Sequence, residues 1–205
     1  MTIAAEGSRR RRAGGERRQR VLDTVVDIVV ARGFANTRFS DVSEASGVAV
    51  STLQGYFGSR EDMLVEALRR STALEVAEME SMTAGLDNDP WARLVALTER
   101  GLGTPVPVWR MLMEFWTAAA HDDELREHAA GLAALYRRPF DEAVADGIAG
   151  GMFHCRRSAT AIVDVAVGAM DGLLYPRVLG HMRTEPQEYT EVVLDQLAAC
   201  LGVTR

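Results

Sequence analysis

Between Thr37 and Arg60 the chain gathers side chains able to bond a polyanion with readable edges. Arg38 and Arg60 carry forked guanidinium groups that match phosphate oxygens, and the hydroxyls of Thr37, Ser40 and Tyr56 can bond the same atoms. Val50, Ser51 and Gln54 follow within two turns of helix. A glutamine amide pairs with an adenine edge, and a valine can meet a thymine methyl, when a helix lies in the major groove of duplex DNA. Gln54 can reach either a phosphate or a base. The competing reading is that several of these are ordinary exposed polar residues.

A second group suits a small molecule. Trp91, Trp109, Met113, Trp116, Tyr136, Phe140 and Met170 are aromatic or polarizable side chains, with Glu114 and Asp171 among them. Met and aromatics line adaptable pockets, and a carboxylate beside aromatic faces attracts a cation. For any one of them core packing competes, and for Glu114 surface exposure does.

Catalytic and metal chemistry find no support. His121 and His128 are seven residues apart instead of four, and Asp122, Asp123 and Glu124 read better as first-turn acids of a helix. Gly101-Leu-Gly-Thr104 resembles half of a dinucleotide fingerprint but follows a helix instead of a strand. No nucleophile elbow, phosphate loop or acid–base set is present. An enzyme and a cofactor are therefore not expected. Cys155 and Cys200 are far apart in sequence with no metal-ligand spacing, and read as reduced thiols of a cytosolic protein, with a disulfide or redox-sensing role as the alternative.

The elements that position these groups follow from apolar spacing. Val21, Leu22, Val25, Ile28 and Val29 make one face of a helix over about 15–32, capped by Gly33. Two short helices, about 39–46 with Phe39, Val42 and Ala45 inward and about 49–56 anchored by Val48, Leu53 and Phe57, are hinged at Gly47, which supplies a left-handed turn. That is a helix-turn-helix. A long helix opens at Ser59, whose hydroxyl precedes Glu61 and Asp62, and runs to about Met82. Further helices cover about 90–100, 108–120, 122–148, 158–175 and 186–201. Pro139 should kink or divide the fourth of these six, counting from Ser59, and Pro176 should bend or end the next. No strand pattern appears. The expected fold is all-α, about nine helices: a flexible basic arm over 1–14, a DNA-binding head over 15–58, and a ligand-binding and dimerisation body over 59–205.

Charge divides along the same line. Residues 1–60 hold ten Arg against six acids, and residues 61–205 hold thirteen Arg against twenty-three, within a net charge of −6. A basic head on an acidic body suits a polyanion at one end. Arg9–Arg12 either dangle or condense on DNA, with the minor groove as the candidate contact in the second case. The stretch 159–175 is the most apolar, but Asp164 and Asp171 interrupt it and it is shorter than the ~20 residues a membrane span needs. Its apolar surface exceeds what one subunit should cover. Ile162, Val163, Met170 and Leu174, with Val193 and Leu197 of the last helix, are thus the expected homodimer interface.

The head resembles the TetR family of bacterial transcriptional regulators, whose pattern is roughly G-Y-x-x-T-T-x-x-x-I-A-x-x-A-G-V-S-x-G-x-L-Y-x-x-F-x-S-K-E-x-L. In register with it stand Gly33-Phe34, Thr37, Val42, Gly47-Val48, Leu53, Phe57, Ser59 and Glu61, while Ala45 and Leu64 each lie one residue from its Ala and its last Leu. Arg38, Ser43, Gln54, Gly55 and Arg60 depart from it, and Gly55 loosens the end of its helix by about 1 kcal/mol relative to Ala. The body is more loosely similar to the choline-responsive betaine-pathway repressors, through 114–120, 151–153 and 169–173. The resemblance implies a cytoplasmic, homodimeric repressor released from a palindromic operator in double-stranded DNA by a small-molecule effector, with no membrane partner. A ligand-independent DNA-binding protein or activator is the alternative, and an enzyme using the aromatic body is a more distant one.

Overall fold

The computed structural model describes residues 3–203, with side chains described from residue 15 onward. The described residues form helices without strands: α1 (Ile3–Arg32), α2 (Phe39–Ser46), α3 (Val50–Phe57), α4 (Arg60–Thr83), α5 (Pro90–Leu102), α6 (Val106–Ala119), α7 (Asp123–Ala149), α8 (Ala159–Gly172), α9 (Leu174–Leu179) and α10 (Pro186–Leu201). The all-α expectation holds. Helix α1 begins at Ile3, ahead of the expected start near residue 15, so the backbone of residues 3–14 continues the helix instead of forming a separate arm. The side chains of Arg9–Arg12 lie outside the described residues, and so does their expected DNA contact. The chain divides into two compact units, Met1–Ser71 with Glu114–His128, and Thr72–Met113 with Ala129–Arg205.

In the first unit α1 packs on α2, and α2 on α3. Val21, Leu22, Val25 and Val29 of α1 bury their shared face with Phe34, Val42, Val48, Leu53 and Phe57. Ala45, expected to face inward, is exposed. Gly47 takes the left-handed conformation (φ 66°), and its N–H donates to the Ser43 carbonyl at 3.0 Å, which closes α2 and redirects the chain into α3. At the start of α4 the Ser59 hydroxyl accepts from the Asp62 N–H at 2.9 Å and donates to its carboxylate at 2.7 Å, a cap that fixes where the long helix begins.

In the second unit Asp89 caps α5 by accepting from the Ala92 N–H at 2.9 Å, with Pro90 in the first turn. Helix α5 packs on α8 and α10, and α8 on α10. Leu94 and Leu97 (α5), Phe140 and Val144 (α7), Ile162, Val163 and Met170 (α8) and Leu197 and Leu201 (α10) form one core. Pro139 sits inside α7 without dividing it. The break after the apolar stretch falls at Leu173, before Pro176, so a short α9 follows α8. Gly147 is where α7 meets the chain returning to α8: an added Cβ there would overlap the buried Phe153 ring.

The expected dimer seam is corrected by this packing. Ile162, Val163, Met170, Leu174, Val193 and Leu197 are all buried inside a single chain, because α5 and α10 already cover the apolar side of α8. The apolar surface that stays open belongs to the opposite faces, with Val165 of α8 61% exposed and Val192 of α10 48% exposed.

Candidate nucleic-acid interface and effector site

Helix α3 is amphipathic across its short length. Leu53 and Phe57 are buried, while Val50, Ser51 and Gln54 are exposed, as are Ser40 at the start of α2 and Arg38 just before it. The expected base-edge residues thus share the outer face of one helix, and Arg38 and Ser40 stand exposed on the neighbouring element. Tyr56 is half-buried with its ring edge-on to Phe57 (6.0 Å, 87°), and its carbonyl accepts from Arg18 at 3.2 Å. Arg18 also stacks on Phe57 (4.9 Å) and pairs with Glu66, tying α1, α3 and α4 together.

Two expected phosphate contacts have other employment. Thr37 is 0% exposed, and its hydroxyl donates to the Gly33 carbonyl at 2.9 Å. Arg60 spends its guanidinium on the head: Nε donates to the Thr37 carbonyl at 2.6 Å, Nη2 to the Phe34 carbonyl, and Nη1 to Glu61 at 2.9 Å, with the group 5.7 Å from the Phe34 ring centre. The cause is local. Gly33 (φ 89°) ends α1 sharply, and the backbone that follows has carbonyls and an N–H with no helical partner. Glu114 answers the N–H: its Oε2 accepts from Phe34 N at 2.6 Å, and an added Cβ on Gly33 would collide with that carboxylate. Glu114 is therefore a head residue and not a pocket residue. Trp116 belongs to the same unit, where the Phe34 and Phe115 rings also pack at 5.5 Å. No local pattern in the sequence could name Glu114 as this partner, since it lies 80 residues from Phe34.

The remaining expected pocket residues lie in the second unit. Phe140 and Met170 are fully buried in its core, Trp91 packs against that core, Met113 is half-buried, and Trp109 is buried. Helix α5 passes so closely that a Cβ on Gly101 would stand 2.6 Å from the Met170 sulfur and 2.8 Å from the Tyr136 hydroxyl. Burial pushes the Tyr136 hydroxyl upward, and the charges of Glu75 and Asp171 add to this. Glu75 is held bidentately by Arg100 at 2.8 and 2.9 Å. Burial also pushes the Asp171 carboxyl up to about 6. The Thr98 hydroxyl and the Trp109 indole N–H are buried without a hydrogen-bond partner. A small acid-lined cavity of about 40 Å³ in the first unit, bordered by Glu61, Asp62, Asp122, Glu124 and His128, is too small for an organic effector. Among the described residues no group of three or more His, Cys, Asp or Glu is arranged to hold a metal ion.

Two family models match the chain. Residues 21–67 match the bacterial regulatory proteins of the tetR family, and residues 90–202 match the C-terminal domain of BetI-type transcriptional repressors. The HTH-type transcriptional repressor KstR of Mycobacterium tuberculosis is 33% identical over 95 residues, which span 46% of this chain and 42% of that protein, less than half its length. A transcriptional regulator from Saccharomonospora viridis, crystallised with choline, superposes with a TM-score of 0.76 at 23% identity, covering 90% of this chain and 96% of that one. FadR of Bacillus subtilis in complex with stearoyl-CoA superposes with a TM-score of 0.73 at 16% identity, covering 91% and 99%. At these identities the superpositions speak for the fold alone.

Arg60 and Asp171 each lead to an expected outcome. Arg60→Ala strands the Thr37 and Phe34 carbonyls, so urea unfolding should show a loss of about 2–3 kcal/mol, and Arg60→Lys should restore less than half, because an ammonium cannot span both carbonyls. Unchanged stability with weakened DNA binding would return Arg60 to a phosphate role. Asp171 has a raised folded pKa, so the folded state binds more protons than the unfolded state between about pH 4 and pH 6, and its ionisation costs stability as pH rises through that window. Asp171→Asn should therefore stabilise the protein by about 1–2 kcal/mol at pH 7.5, after discounting for partial exposure, with the gain gone below pH 4; denaturant titrations at both pH values measure it.

Proposed function

We propose that this chain, which belongs to the TetR family of bacterial regulatory proteins, is a homodimeric repressor that a small molecule releases from a palindromic DNA operator. The observation that carries this reading is the division of α3: Leu53 and Phe57 anchor it, while Val50, Ser51 and Gln54 face outward together. A short helix held that way can enter a major groove with its polar edge toward the bases. Arg38, Ser40 and the edge of Tyr56 supply phosphate contacts that set its register. Thr37 and Arg60 act indirectly, by fixing the turn from which α2 departs.

The open faces of α8 and α10, around Val165 and Val192, replace the buried six as the surface for a second copy. A two-fold pair would present two α3 helices to half-sites about 34–36 Å apart. The effector belongs in the second unit, beside Tyr136 and Asp171; the same unit also holds the partnerless polar atoms of Thr98 and Trp109. The half-buried carboxylate of Asp171 favours an organic cation, like the choline of the Saccharomonospora viridis regulator, over an acyl thioester like that of FadR. Helix α4, which runs in sequence from the first unit into the second, would carry the effect, and a coupling of about 1–3 kcal/mol suffices for a useful switch. The protein acts by binding and not by catalysis. Among the described residues no helix is long and apolar enough to cross a membrane, and the operator places the protein in the cytoplasm.

Selection of duplexes from a random library tests the reading. The bound pool should enrich an inverted repeat with half-sites one helical turn apart, with affinity falling steeply as salt rises. Gln54→Ala should relax the preference at one position of each half-site and keep the salt dependence, Val165→Asp should yield monomers that lose the paired half-sites, and choline should weaken binding. A pool with no enriched repeat and salt-insensitive binding would refute the DNA-binding reading; an effect of acyl thioesters but not of choline would overturn only the effector class.

A further inference from the structure

The segment between α7 and α8 touches the C-terminal end of α10. The His154 N–H donates to the Leu201 carbonyl at 2.8 Å, and a Cβ added to Gly202 would stand 3.3 Å from the His154 Cβ. Each segment carries a cysteine one residue away from that hydrogen bond: Cys155 follows His154, and Cys200 precedes Leu201. Both thiols are free. Cys155 is half-buried against the core of the second unit, and Cys200 is exposed on α10. Two cysteines that are distant in the chain thus sit on neighbouring stretches of backbone in the same compact unit.

We propose that Cys155 and Cys200 are a thiol pair that hydroperoxides convert into an intramolecular disulfide, stapling the α7–α8 connection to the end of α10. The division of labour follows from exposure. Cys200 meets the oxidant: its thiolate sulfur attacks one oxygen of hydrogen peroxide, the O–O bond breaks, a sulfenic acid forms, and hydroxide leaves to take up a proton as water. The Cys155 sulfur then attacks the Cys200 sulfur, the S–S bond forms, the S–O bond breaks, and a second water departs with the Cys155 proton. Two electrons, one from each sulfur, reduce one peroxide to two waters. Burial raises the Cys155 thiol above the ordinary cysteine value, and the neighbouring Cys200 raises it further, which suits the second, resolving role. No third ligand joins them: among the described residues no group of three His, Cys, Asp or Glu is placed for a metal, so metal capture does not compete.

The bond would enclose α8, α9 and nearly all of α10 in one covalent loop. Closing a loop of that length narrows the unfolded ensemble, so the oxidised second unit should melt higher, by about 10 °C. Oxidation would thereby stiffen the helices whose outer faces carry Val165 and Val192, independently of whether any effector or DNA is bound.

Treatment of the full chain with hydrogen peroxide, followed by intact mass and non-reducing digestion, tests the pairing. A monomer lighter by about 2 Da, a single cross-linked peptide pair containing Cys155 and Cys200, and reversal of both the mass change and the raised melting temperature by dithiothreitol are expected. Cys155→Ser should leave a sulfenic acid at Cys200 that dimedone traps, and Cys200→Ser should leave Cys155 reduced. Disulfide-linked dimers through Cys200, or two alkylatable thiols surviving after peroxide, would overturn the proposal. The wild-type mass alone is enough to support or overturn the pairing, so a variant that fails to fold does not obscure it, and neither outcome bears on the DNA-binding reading.

Discussion

The abrupt end of α1 at Gly33 is the constraint from which the head is built. A left-handed glycine stops the helix within one residue, and the stretch of backbone from Gly33 to Thr37 is left with donors and acceptors that no helix satisfies. Three side chains answer it: Glu114 takes the Phe34 N–H, Arg60 takes the Phe34 and Thr37 carbonyls, and the Thr37 hydroxyl folds back on Gly33. A buried unsatisfied polar group costs about 1–3 kcal/mol, so the turn holds its shape only when all three partners are present. Because α2 leaves directly from this turn, the direction of α2, and of α3 beyond Gly47, is set by residues whose polar atoms are spent inside the head.

The same arrangement explains why the outward set of side chains on α3 is small and local. Val48, Leu53 and Phe57 lock α3 to the head from below, and Arg18 braces Phe57 by stacking on it and pairing with Glu66 of α4. With those contacts made, Val50, Ser51 and Gln54 are left on the outside of the fold, which is the condition for groups that read another molecule. The excess of arginine in residues 1–60 over an acidic remainder adds a long-range preference for presenting this end to a polyanion. In the second unit packing dominates instead, and the polar exceptions include Asp171, the Tyr136 hydroxyl, and the two partnerless atoms of Thr98 and Trp109.

What was legible in the sequence was whatever depends on neighbours along the chain. The apolar spacing of α1, the Gly47 hinge, the Ser59 and Asp89 caps and the absence of strands all follow from local rules, and so does the outward set on α3. Partners distant in sequence were not legible. Glu114 reads as an acid among aromatics, and only the folded chain sends it to Phe34. Arg60 looks like a phosphate ligand until the carbonyls of the α1 turn are seen to need it. The richly apolar α8 suggests an intersubunit seam, yet α5 and α10 cover that face within one chain, because hydrophobicity says that a surface is buried and not by whom. Pro139 likewise reads as a break, but α7 carries it without one.

The central physical claim is that the outer edge of α3 meets duplex DNA because every other face of that helix is already committed. Benzoylphenylalanine placed at position 54 and, separately, at the exposed position 142 of α7 probes it directly under irradiation with duplex DNA at low salt. Covalent protein–DNA adducts at position 54 and none at position 142 are predicted. Adducts at 142 with none at 54 would contradict the assignment of α3 as the contact surface.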